Sequence, residues 1–207
     1  MNRQSGFTLI EISIVLVIIG LLLGGVLKGQ ELIENAKIKR MNNDFSGIAT
    51  AAYSYLDRYS SIPGDDADAA ARWSTTAIAP TGTADNGVIN GAWSSRTPAD
   101  ESYLFWIHLR KSNLITGGDD TKLPVHAFGG KIGVANGDST TYLGLSGPVI
   151  CMDNISGKRA EIIDKQLDDG KPAGGVLRGK AGTDPSGTVS TETSYAQDTI
   201  YSICKQM

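Results

Sequence analysis

Four kinds of side chain in this chain are equipped for chemistry: one carboxylate inside an apolar run, two histidines, two cysteines and three knots of acids. Glu11 is the sharpest of them. It is the only charged residue from Phe7 to Leu27, and a charge near the middle of a spanning helix costs about 2.5–3.5 kcal/mol on insertion scales. Such a carboxylate needs a partner or a task. A merely solvated carboxylate near a helix end fits poorly, because apolar residues flank Glu11 on both sides.

The remaining candidates point away from catalysis. His108 lies within Phe105-Trp106-Ile107-His108-Leu109, the setting of a structural histidine, whereas His126 in a glycine-rich segment suits either a ligand or a turn cap. Neither H-E-x-x-H nor G-x-S-x-G is present. No two carboxylates stand out as an acid and base pair. Asp65/Asp66/Asp68, Asp85/Asn86 and Asp168/Asp169 are the candidates for calcium, but none follows the D-x-[DN]-x-[DN]-G loop. Turn and cap roles account for them more simply. No catalytic residue, metal ligand or cofactor is therefore assigned, and the chain is not expected to be an enzyme. Cys151 and Cys204 make no C-x-x-C pair, which argues against zinc and thioredoxin-type chemistry. They are either one disulfide in an oxidising compartment or two buried thiols.

Composition sets the frame. A net charge of −3 and a pI of about 5.4 give no general attraction to nucleic acid. The 25 glycines imply many turns, while aliphatic and aromatic residues beyond residue 60 suffice for a folded core.

The element that must position Glu11 is a helix. Phe7–Leu27 would span about 30 Å, the thickness of a bilayer core. The run is longer than the roughly 7–15 residues of a cleaved secretory signal, and no clear A-x-A site follows it, so a spanning anchor over 7–27 is expected. Basic residues set no orientation: Arg3 precedes the run, and Lys28, Lys37, Lys39 and Arg40 follow it. Proline is absent between Phe7 and Ile62, which predicts one helix over residues 7–60. Along its second half, Met41, Phe45, Ile48, Ala52, Tyr55 or Leu56, and Tyr59 recur at steps of three and four, one apolar stripe. Lys39, Asn43, Gly47, Ser54 and Asp57 occupy the other face. Gly20/Gly24 and Gly25/Gly29 have the spacing that allows close helix approach, and the same glycines weaken a helix.

Beyond Ile62-Pro63-Gly64-Asp65, a turn signal, residues 74–97 read as a loop. Thr97-Pro98-Ala99-Asp100 predicts a helix start with Thr97 as N-cap, running to about Asn113. Lys131–Ala135, Thr141–Leu145, Val149–Met152, Gly175–Arg178 and Thr199–Cys204 read as strands, and Gly157–Leu167 as a helix. The pattern predicts an α+β head over residues 61–207, with an antiparallel sheet.

The stretch Arg3-Gln4-Ser5-Gly6-Phe7-Thr8-Leu9-Ile10-Glu11 resembles the cleavage and methylation signature of type IV pilins and the pseudopilins of type II secretion. Ile62-Pro63-Gly64-Asp65, Phe105–Leu109 and Ile163–Gly170 are more loosely similar to heads of Gram-negative pilin-like proteins. The resemblance implies a leader over residues 1–6, removed after Gly6 by a prepilin peptidase, and N-methylation of Phe7. It implies that Glu11 neutralises the Phe7 amine during assembly, on its own chain or on a neighbour. It also implies storage in the inner membrane with a periplasmic head, then an inner-membrane platform that builds a filament with other pilin-like subunits, in the periplasm or at the cell surface. Export favours the Cys151–Cys204 disulfide. An alternative role is a minor subunit whose head binds a surface, DNA or an exported protein. Arg110-Lys111 and Lys158-Arg159 are too sparse to support nucleic acid.

Overall fold

The computed structural model describes residues 6, 8–75, 79–80, 84–117 and 122–207, in two compact units, Met1–Lys39 and Arg40–Met207. The first unit consists, where described, of the opening of a 51-residue helix, α1 (Leu9–Tyr59). It stays helical through Gly20, Gly24, Gly25 and Gly29.

From Arg40 onward α1 belongs to the second unit, and here its stripe is buried: Met41, Phe45, Ile48, Ala52 and Tyr55 are core residues. The helix ends at Tyr59, with Ser60 at φ 57 and the Pro63-Gly64 turn beyond it. Gly64 is required in that turn. Its φ is +96, and a Cβ there would lie 2.2 Å from the Glu101 carbonyl oxygen. A short helix, α2 (Ala69–Arg72), follows, then α3 (Glu101–Lys111).

The sheet has strands β1 (Ile132–Gly137), β2 (Gly147–Ser156), β3 (Leu177–Ala181) and β4 (Ile200–Gln206), in the order β1-β2-β4-β3 and antiparallel throughout. The α+β, pilin-like arrangement expected from the sequence is therefore present. The helix α4 (Gly157–Leu167) follows β2 directly and lies against β2, β3 and β4. Several contacts tie α1 to the other helices: Asn42 Nδ2 donates to Gln166 Oε1 at 2.6 Å, Tyr55 stacks on His108 at 6.0 Å, and Arg72 of α2 donates to the Tyr55 hydroxyl at 3.4 Å.

Two local expectations are corrected. Thr141–Leu145 is not a strand but a 3-10 turn, Tyr142–Gly144, with Leu143 at φ 65. Its partners are remote: the Leu143 N–H donates to the Gly187 carbonyl, and Arg178 Nη1 donates to the carbonyls of Leu143 and Gly144. These bonds and the fully buried Leu143 side chain hold a conformation that leucine rarely adopts. The second correction is the start of α3, where the N-cap is Asp100 rather than Thr97. Thr97–Asp100 instead forms a turn closed by the Asp100 N–H on the Thr97 carbonyl, while Ser95 Oγ donates to the Asp100 carboxylate at 2.5 Å. The sequence reading also missed α2.

The disulfide lies in the sheet. Cys151 of β2 and Cys204 of β4 are register partners joined covalently, packed with Trp93, Ala135, Leu143, Leu145 and Val149.

Candidate functional site

The N-terminal segment builds its own start. Thr8 precedes α1, and the Glu11 carboxylate accepts the Thr8 N–H at 2.8 Å and the Thr8 hydroxyl at 2.7 Å. The Glu11 N–H donates back to Thr8 Oγ1 at 3.3 Å. This is a capping box, in which the side chain three residues into the helix and the cap residue satisfy each other's backbone donors. Glu11 therefore has a partner within its own chain. Thr8 was passed over in the sequence reading, although the Thr8-x-x-Glu11 spacing is the signal for it. Gly6 is exposed just before this box, and Phe7 lies outside the described residues.

From Leu9 to Leu27 the large apolar side chains are exposed. The helix is long and apolar enough there to cross a membrane. Exposed apolar surface on this scale needs lipid or protein to cover it.

In the head, the candidate acids are engaged by their own backbone. The Asp65 carboxylate accepts the N–H groups of Asn86 and Gly87, which brings together two acidic knots that are separate in sequence. Asp66 accepts from Tyr55 and Arg72, each at 2.5 Å. Burial pushes the Asp66 carboxyl up, but the Arg72 and Tyr55 hydrogen bonds outweigh it and hold it below the usual carboxylate range. His108 accepts the Gly64 N–H on Nδ1, and the ring is fully buried. His126 caps a turn: its Nδ1 accepts the Phe128 N–H, and its Nε2 donates to the Asp153 carbonyl at 2.7 Å. Burial lowers its pKa.

The third knot gains a member. Ligand atoms of Asp164, Asp168 and Asp169 lie within 4.8 Å of one another. Asp164 precedes Asp168 by one helical turn, which is the signal that would have found it. All three accept protein donors: Asp164 takes Tyr195 Oη–H at 2.6 Å and the Gly170 N–H, Asp168 the Val176 and Leu177 N–H groups, and Asp169 the Lys171 N–H.

Burial raises the Asp164 pKa to about 6, against its hydrogen bonds from Tyr195 and Gly170. The folded state therefore holds this proton more tightly than the unfolded chain. The associated stability is complete below about pH 4 and is lost as pH rises through about 6. Asp164→Asn is expected to flatten that slope, recovering up to about 2 kcal/mol at pH 7.5 relative to pH 4. Urea titrations of both proteins at the two pH values test it, and parallel slopes would show that Asp164 does not titrate in this interval.

Fold and N-terminal segment together define a class: an α+β protein of pilin-like arrangement with a long N-terminal apolar helix. Residues 1–27 match the family described as the prokaryotic N-terminal methylation motif, the signature of type IV pilins and pseudopilins. No curated protein matches the chain.

Proposed function

We propose that the chain is a structural subunit, a pilin or pseudopilin, of a type IV pilus-like filament. The observation that carries this reading is the methylation motif at residues 1–27, continuous with a helix whose apolar side chains stand exposed. In this reading a prepilin peptidase removes Met1–Gly6 and Phe7 receives the methyl group. Residues 7–27 hold the subunit in the inner membrane, with the head of residues 61–207 in the periplasm, until an assembly platform draws it into a filament. Glu11 then exchanges the Thr8 donors for the positive amine of Phe7, its own or a neighbour's. The subunit acts by packing, not by catalysis.

The processing step is open to direct test. The N-terminal peptide of the native membrane protein should begin at Phe7, with the mass of one added methyl group. An intact Met1, or a new terminus beyond Leu23, would remove the reading altogether.

A further inference from the structure

The turn that leads into β1 is fastened at its base by a histidine. Val125 bridges Lys131, the His126 N–H donates to the Gly130 carbonyl, and the Ile132 N–H donates to the Pro124 carbonyl. Asp153, at the irregularity of β2 between Met152 and Ile155, holds both arms of this turn. Its carbonyl accepts from His126 Nε2 at 2.7 Å, and its carboxylate accepts the Lys131 N–H at 2.6 Å.

The polarity of these partners fixes the proton on the ring. A carbonyl only accepts, so Nε2 carries the hydrogen. A peptide N–H only donates, so Nδ1, 3.2 Å from the Phe128 nitrogen, presents its lone pair. His126 is therefore neutral, with both ring nitrogens satisfied. A second proton would have to sit on Nδ1, donor against donor with the Phe128 N–H. The ring has no room to turn away from that clash. It is 3% exposed, and a Cβ on Gly130 would lie 2.2 Å from Nε2 and 2.2 Å from the Asp153 carbonyl oxygen.

We propose that His126 is an acid-released clasp: its protonation lifts the turn of residues 125–131 from Asp153 while the rest of the sheet stays folded. The doubly protonated ring needs water, and it reaches water only when this turn opens. Among the described residues, the carboxylates of Asp153 and of Asp44 on α1 attract the imidazolium, and Arg40 offsets Asp44. Lys131 stands on the far arm, and Arg159 of α4 lies 4.1 Å over the Phe128 ring. Asp119 and Asp120, earlier in the same segment, lie outside the described residues. Burial outweighs the two carboxylates and keeps His126 below the ordinary histidine range. The closed turn thus binds the proton less tightly than the open one. Closure is complete above about pH 6.5 and weakens as pH falls below it, the opposite sense to Asp164. Because β1 is an edge strand, opening takes the Pro124 carbonyl from the Ile132 N–H and uncovers that edge. The clasp does not depend on the filament reading.

Hydrogen exchange of the purified full chain in detergent, at about pH 7.5 and about pH 5 and corrected for intrinsic rates, tests it. Peptides covering residues 125–132 are expected to lose about tenfold in protection at the lower pH, while those of β2 and β4 keep theirs. His126→Gln retains a donor for the Asp153 carbonyl and does not titrate, so it should abolish the difference. An NMR titration of the His126 ring in the unsubstituted chain, which needs no variant to fold, should give a midpoint below about 6.5. Equal protection of residues 125–132 at the two pH values would overturn the clasp, as would a midpoint at or above 6.5. Loss of protection throughout the sheet, or a difference that persists in folded His126→Gln, would overturn it as well.

Discussion

Glu11→Gln is expected to reduce filament yield by at least about tenfold while leaving the subunit stable in the membrane, and Glu11→Ala should do the same. The two variants separate two roles of one carboxylate. Glutamine is an accepted partner in a capping box, so Glu11→Gln keeps an acceptor for the Thr8 N–H and leaves the helix start intact. What the amide lacks is charge. On the proposed filament reading, each assembled subunit would then carry an uncompensated Phe7 amine in apolar surroundings, a cost of several kcal/mol at about the scale of a broken buried ion pair. Glu11→Ala loses the cap as well, worth about 0.5–2 kcal/mol at a helix end. Insertion should not suffer in either variant, since a charge has been removed from the apolar run. The proposed cleavage after Gly6 lies outside the box and should proceed. The measurement compares subunit in the membrane with sheared filament in cells carrying only the variant. Normal filaments from Glu11→Gln would mean that the carboxylate acts through its hydrogen bonds to Thr8 alone.

Removal of the disulfide is expected to be the largest single loss of head stability. Cys151 and Cys204 are 53 residues apart in sequence, and a cross-link closing a loop of that length restricts the unfolded chain by about 4 kcal/mol. Both sulfurs are also fully buried against Val149 and Leu143, so Cys→Ala at either position adds a packing loss. For a head of this size, about 4 kcal/mol corresponds to a fall in Tm of about 8–16 °C. Thermal unfolding of the full chain with and without reductant measures it, alongside the double Cys→Ala variant. Alkylation before and after reduction checks the premise: two thiols labelled in the folded, unreduced protein would end the claim.

The parts of this protein that sequence alone determined are those written in local pattern. The apolar run after Gly6-Phe7, the uninterrupted 3.6-residue stripe of Met41, Phe45, Ile48, Ala52 and Tyr55, and the helix Gly157–Leu167 all depend on neighbours within one or two turns. Strands β1, β2 and β4 were legible for the same reason, with ends displaced by a few residues because pairing, not propensity, decides where a strand stops. The tertiary structure decided whatever depends on a distant partner. Residues 142–144 look like a strand by composition, yet Arg178 and Gly187 bend them into a turn. Asp65 reads as a turn or cap acid in one knot until the N–H groups of Asn86 and Gly87, from the second knot, converge on it, and Asp164 acquires its raised pKa only because the fold buries it, against the hydrogen bonds from Tyr195 and Gly170. The cations around Val125 come from five separate places in the chain, Arg40, Arg96, Arg110, Lys122 and Lys131. No local rule relates them: α1, α3 and the segments around Arg96, Lys122 and Lys131 bring them to the two hollows that share Val125 only in the folded chain.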